Sequence, residues 1–261
     1  MTPAAEAVVA RLRAAGCVFA EEEAAILLEA AEGGAGLEAM LARREAGEPL
    51  EVIVGWAEFR GRRVVVAPGV FVPRRRTEVL VSAAVELAGT GSVVVELCCG
   101  VAAVASAIAA EVPGAEVYAA DVDPVEVAVA RLNLPGEGRV FEGDLFDALP
   151  PRLRGRIDVL VANAPYVPTA EIANMPPEAR EHEPLVALDG GPDGLDVQRR
   201  VSEGARDWLA PGGSLIIETS VRQAPATADT MRSGGLAPRI VHDDELDATA
   251  VIGLAIQRSR P

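Results

Sequence analysis

From Ser92 to Ser233 the chain alternates short β-branched or aliphatic runs with helical stretches, a few residues apart. Strands read at 92–97, 115–121, 138–143, 157–162 and 214–219, and helices at 102–111, 124–132, 196–209 and 223–233. Strands joined through helices lie parallel, and a parallel sheet must be covered on both faces. The pattern predicts an α/β fold, a Rossmann-like and mainly parallel sheet with helices on both faces. Residues 238–258 supply two closing strands, for seven in all.

The N-terminal part follows another rule. Residues 4–15, 20–32 and 36–46 read as three short helices, with Gly33, Gly34 and Gly36 parting the second from the third and Gly47 with Pro49 ending the group. In the second helix Ala24, Ile26, Leu27, Leu28 and Ala31 form the apolar stripe, while Glu21, Glu22, Glu23 and Glu29 face water. Residues 50–66 alternate around a Gly-Arg-Arg turn and read as a linking β-hairpin. The expected organisation is a helical domain over 1–49, a hairpin over 50–67 and an α/β domain over 68–261. Pro68 and Pro73 bound an extended segment, after which Thr77 stands ready to cap a helix over 78–87.

A formal net charge of −15 disfavours nucleic acid as a partner, because affinity for phosphates accumulates from Lys and Arg. Arg74-Arg75-Arg76 is the densest basic patch, and a protein or small molecule is the expected substrate. No run approaches about 18 consecutive apolar residues, and the first residues lack a signal-peptide layout. A soluble, cytoplasmic monomer is expected, with no membrane partner. Cys17, Cys98 and Cys99 have no C-x-x-C spacing and the chain holds only His182 and His242, so reduced thiols and no metal site are expected.

Sheets of this type bind ligands at the carboxyl ends of their strands. The first strand ends in Glu96-Leu97-Cys98-Cys99-Gly100-Val101-Ala102, where backbone N–H groups can face a nucleotide-like cofactor. Only Gly100 remains of the usual three glycines, and a β-carbon at Cys98 or Ala102 crowds the place where bare backbone normally approaches. The second strand ends at Asp121, 21 residues after Gly100, where an acid can hold ribose hydroxyls or else cap the following helix, a task Asp123 could equally perform. Asp144 is placed for an adenine amino group or is simply a turn carboxylate. The fourth strand stops at Asn163-Ala164-Pro165-Tyr166. Asn163 brings a side-chain carbonyl, Pro165 holds Ala164 extended so that its carbonyl has a fixed direction, and Tyr166 can lie flat on a planar –NH2 group. The competing reading is a plain turn.

With these pieces assembled, the chain resembles class I S-adenosylmethionine-dependent methyltransferases, and within them the HemK-type protein-(glutamine-N5) methyltransferases, which modify peptide release factors or a ribosomal protein. The resemblance extends to Phe71-Val72-Pro73-Arg74 with Thr77-Glu78, to the stretch from Glu183-Pro184 through Gly190-Gly191-Pro192-Asp193-Gly194 to Asp196, and to Leu209-Ala210-Pro211-Gly212-Gly213 with Ile217-Glu218. It implies that Glu96, Cys98, Gly100 and Val122 line the S-adenosylmethionine site, that Asp121 holds its ribose, and that Asp144 with Leu145 borders adenine. It also implies that Asn163, Ala164, Pro165 and Tyr166 form the catalytic strand end gripping the accepting amide, with Phe71 and Pro73 near the methyl group and Glu183 and Pro184 in the wall of the pocket. Ala164 departs from the family's Asn-Pro-Pro-Tyr. A glutamine-bearing protein is the implied partner. An amide- or amine-bearing metabolite, or an inactive methyltransferase-like binding protein, stays open as an alternative.

Overall fold

A computed structural model describes residues 3–31 and 34–255. Glu32, Gly33 and the 256–258 end of the closing stretch lie outside the described residues. Helices α1 (Pro3–Ala14), α2 (Ala20–Ala30), α3 (Gly34–Glu45) and α4 (Leu50–Val54) come first. Strands β1 (Trp56–Phe59) and β2 (Arg62–Val65) pair as an antiparallel hairpin, followed by α5 (Glu78–Leu87). The alternating region then runs β3 (Val93–Leu97), α6 (Ala103–Glu111), β4 (Glu116–Asp121), α7 (Pro124–Asn133), β5 (Val140–Glu142), β6 (Ile157–Ala162), α8 (Pro177–His182), α9 (Asp196–Trp208) and β7 (Leu209–Thr219). Helix α10 (Ala224–Ser233) and strands β8 (Leu236–Asp243) and β9 (Ala248–Ala255) complete the order.

The seven-stranded sheet has the order β5-β4-β3-β6-β7-β9-β8. Its first five strands are parallel, and β9 runs antiparallel to both of its neighbours. From β3 the chain winds outward to β4 and β5, and then returns to β6 on the other side. That reversal opens a crevice at the carboxyl ends of β3 and β6. Strand β3 shows why the sheet is covered twice: Val94 joins the core under α5, α6 and α7, while Val93, Val95 and Leu97 join the core under α9 and α10.

Four local expectations change. Gly34 and Gly36 fall in the opening turn of α3 rather than between helices. Leu50–Val54 form a helix instead of a strand: Leu50 and Ile53, three apart, bury among α1 to α3, and Gly55 at φ 81° ends the turn. Burial thereby overrides the strand preference of Val52, Ile53 and Val54. Glu23, expected to face water, is buried against Arg44 of α3, Nε to Oε2 at 2.7 Å. Thr77 does not cap α5, because at φ −65°, ψ −13° it already has helical geometry and lacks the extended backbone a cap needs. No helix of the described residues is long and apolar enough to cross a membrane.

Candidate active site

Strand β6 delivers Asn163 from between β3 and β7, with Val161 and Ala162 fully buried beneath it. The Asn163 amide Nδ2 donates to Thr77 Oγ1 at 3.4 Å. Because the Thr77 hydroxyl itself donates to Glu218, its oxygen accepts from the Asn163 amide, which leaves Oδ1 as the uncommitted acceptor. Behind Thr77 lies Glu218 from β7, whose Oε1 accepts from Tyr166 Oη at 3.4 Å and from Arg76 Nε at 3.3 Å. Burial pushes the Glu218 carboxyl up, against the opposing pull of the Thr77 hydroxyl and the Arg76 guanidinium. Burial also pushes the Tyr166 phenol up to about 12, so it stays a neutral ring with its hydroxyl engaged.

The strand end is held from below by glycines. A β-carbon at Gly190 would meet the Pro165 carbonyl oxygen at 2.7 Å, and one at Gly194 would meet the Tyr166 carbonyl oxygen at 2.3 Å. That same carbonyl accepts from Gln223 Nε2 at 3.0 Å. The Gly-Gly-Pro-Asp-Gly stretch therefore lets backbone pack on backbone under Pro165 and Tyr166.

The turn after β3 forms the opposite wall. Cys98, Gly100 and Ala102 all take left-handed backbone, at φ 52°, 51° and 59°. Ala102 is fully buried and its side chain is not part of the cavity lining, whereas Cys98 is. The expected crowding is thus confined to Cys98, whose thiol burial keeps protonated. Gly100 N donates to Asp121 Oδ2 at 2.8 Å and Asp123 N to Asp121 Oδ1 at 3.0 Å. Asp123, not Asp121, caps α7 by accepting from Val125 N at 2.8 Å. Glu96 Oε2 accepts from Ala105 N at 2.7 Å, and burial lifts its carboxyl to about 8. Asp144 accepts from Arg200 Nη2 at 2.7 Å and borders the cavity beside Leu145, itself at φ 49°.

The extended segment 71–74 closes the third side. Phe71 N donates to Glu126 Oε1 at 2.6 Å, Val72 N to Glu183 Oε1 at 3.3 Å, and the Arg74 guanidinium pairs with Glu183. All sequence-derived site residues except Pro184 line one cavity of about 320 Å³. Pro184 instead starts the turn Leu185–Ala187, which presents Val186 and Ala187 to the cavity. Sequence reasoning missed Arg76, Thr77, Glu126 and Arg200 in the lining, and Glu218 behind it. One signal was available for Glu126: it adjoins Val127 and precedes Ala130 by four, on the buried stripe of α7.

Residues 61–176 match the family described as Methyltransferase small domain. The chain is 37% identical over 217 residues to a release factor glutamine methyltransferase of Geobacter sulfurreducens, covering 82% of this chain and 75% of that one. It is 38% identical over 201 residues to a 4-amino-L-phenylalanine/4-methylamino-L-phenylalanine methyltransferase of Streptomyces pristinaespiralis, covering 74% of this chain and 68% of that one. A methyltransferase structure from Pyrococcus furiosus superposes with a TM-score of 0.55 at 16% identity, over 86% of this chain and 100% of that one. Fold, family match and relatives together define a class I S-adenosylmethionine-dependent methyltransferase. Within that class, the chain belongs to the release factor glutamine methyltransferase family, of the HemK type.

The residues present fit that cofactor. The carboxyl groups of Glu96, Asp121, Glu126 and Glu183 supply hydrogen-bond partners of the kind its hydroxyls and ammonium group need, and the glycine at the centre of the β3 turn is retained where backbone must come close.

Proposed function

We propose that the protein transfers a methyl group from S-adenosylmethionine to the side-chain amide nitrogen of a glutamine in a protein substrate, with a peptide release factor as first candidate, in the cytoplasm and as a monomer. The observation that carries this reading is the Asn163 side chain, whose amide nitrogen is committed to Thr77 so that its oxygen is the atom left to accept. When bound, the cofactor supplies an electrophilic methyl group on a sulfonium. An amide nitrogen is a weak nucleophile because its lone pair is delocalised, so the work of the chain is positioning. Asn163 Oδ1 and the Ala164 carbonyl accept the two amide hydrogens, and the Tyr166 ring lies along the amide plane, which aims the nitrogen for in-line attack. The same two acceptors stabilise the positive charge that develops on nitrogen before its proton leaves. Phe71 and Pro73 flank the methyl group, while Glu96, Cys98, Gly100, Asp121, Val122, Asp144 and Leu145 hold the cofactor.

The helical unit fits a role in presenting the protein acceptor. Arg44 of α3 reaches Glu178 of α8 at 3.4 Å, and α8 lies between Met175 and Glu183, both on the cavity wall.

Methyl transfer from labelled cofactor tests the reading, with purified release factor and 4-amino-L-phenylalanine as alternative acceptors. Label on a release-factor glutamine, lost when that glutamine is replaced, is the expected result; label on the amino acid alone overturns the protein substrate. In Asn163→Ala, turnover should fall at least about 100-fold while cofactor affinity changes less than about threefold. Equal turnover in mutant and parent removes Asn163 from its role.

A further inference from the structure

Glu126 has been given no role above beyond lining the cavity, and like Glu183 and Glu218 it carries a buried oxygen without a partner among the described residues. It is 2% exposed, lines the cavity, and has one oxygen with nothing to do: Oε1 accepts from Phe71 N at 2.6 Å, whereas buried Oε2 has no hydrogen-bond partner among the described residues. A buried carboxylate oxygen without a partner is costly, and such atoms in a binding cavity point to a missing donor. The Phe71 bond also fixes the side chain, so Oε2 is held in place rather than free to turn away.

Its location narrows the choice of donor. The nearest atom to a β-carbon built on Gly100 is Glu126 Oε2, at 3.6 Å, and Gly100 is the residue whose N–H binds Asp121 Oδ2 at 2.8 Å. Two carboxylates, one from the end of β4 and one from the first turn of α7, thus meet at a single glycine. Both Asp121 oxygens already accept backbone N–H groups, while Glu126 keeps one oxygen entirely open. A ribose carries two adjacent hydroxyls, and with both Asp121 oxygens already engaged a second carboxylate can take one of them. A hydroxyl both donates and accepts, so it suits Glu126 whether the carboxyl is ionised or neutral.

We propose that Glu126 is a second acidic ligand of the cofactor ribose, with Oε2 bonding one hydroxyl beside Asp121. This rests on the reading that Asp121 faces the ribose. The same carboxylate ties that hydroxyl to Phe71, so the ribose and the segment 71–74 share one anchor.

Calorimetric titration of Glu126→Ala, Glu126→Gln and Asp121→Ala tests it, with S-adenosylhomocysteine, 5′-methylthioadenosine and 3′-deoxy and 2′-deoxy forms of the latter. Methylthioadenosine keeps the ribose but lacks the amino-acid end. Glu126→Ala should weaken S-adenosylhomocysteine and methylthioadenosine alike, by about tenfold, and should lose that effect against one of the two deoxy forms. Weakening of S-adenosylhomocysteine alone assigns Glu126 to the ammonium end and overturns the proposal. Loss of affinity in Asp121→Ala with none in either Glu126 variant also overturns it, and leaves the Asp121 reading standing. If no variant changes affinity, the cofactor placement itself falls. Glu126→Gln keeps an acceptor for Phe71 and replaces Glu126→Ala in each comparison should the latter not fold.

Discussion

At the scale of single residues the cavity is marked by carboxyls held out of water. Burial lifts Glu96 and Glu126 to about 8 each, and Asp121, Glu183 and Glu218 shift in the same direction. The folded protein therefore keeps protons that the unfolded chain releases from about pH 4.5 upward. Their stabilising contribution is complete below that pH and is lost as pH rises toward 8. Carboxyls held down by arginine, such as Glu48 and Glu111, titrate below this window and act outside it. The melting temperature of the ligand-free protein should fall between pH 5 and pH 8. Glu126→Gln, which cannot ionise, should flatten the fall by about 2 °C or more, equivalent to roughly 1 kcal/mol. Parallel curves for the two proteins would remove Glu126 from the account.

At the scale of elements, the strand end at Asn163–Tyr166 depends on a stretch that shares no strand with it. Gly194 is at φ 77°, and its α-carbon leaves no room for a substituent beside the Tyr166 carbonyl and Gln223. Gly194→Ala combines left-handed strain with a backbone clash and should destabilise the fold by about 2 kcal/mol or more. Displacement of Tyr166 should also lower turnover by about 100-fold. Gly138 is the control: φ is 71° but nothing lies within 4 Å of its β-position, so Gly138→Ala carries only the backbone strain of about 1 kcal/mol and keeps its turnover. Chemical denaturation and steady-state kinetics on both variants separate the two effects; equal turnover in both would show that the glycine stretch does not set the site.

At the scale of the whole molecule, helices α1 to α4 have a core of their own that includes Leu12, Leu27 and Leu41, while Val52 of α4 buries into the core of the main domain. Arg44 adds a polar tie, reaching Glu178 at 3.4 Å while bonding Glu23 at 2.7 Å and the Glu48 carbonyl at 3.0 Å within the helical unit. Its side chain and that of Glu23 are each 11% exposed, so Arg44→Ala leaves a largely buried acid unpaired, at a cost of about 3 kcal/mol. Hydrogen exchange should then speed up across α1 to α3 while cofactor affinity stays unchanged. Unaltered exchange would show that the apolar core alone holds the helical unit.

Much of this was legible in the chain itself. The alternation after Ser92 specified a parallel sheet, and the abrupt stop at Asn163-Ala164-Pro165-Tyr166 marked where its central strand ends at the cavity, because strand and helix periods and proline's missing N–H are properties of neighbours in sequence. What only the tertiary structure decided was how residues distant in sequence pair. Leu50–Val54 became a helix because α1 to α3 offered it a core, Glu23 was buried because Arg44 lay across it, and Thr77 gave up its cap to hold Asn163. Glu126 adjoins the apolar stripe of α7, and Glu183 and Glu218 stand in stretches that only the family resemblance marks. Their partners around the cavity lie 52 to 142 residues away, and no local pattern names them.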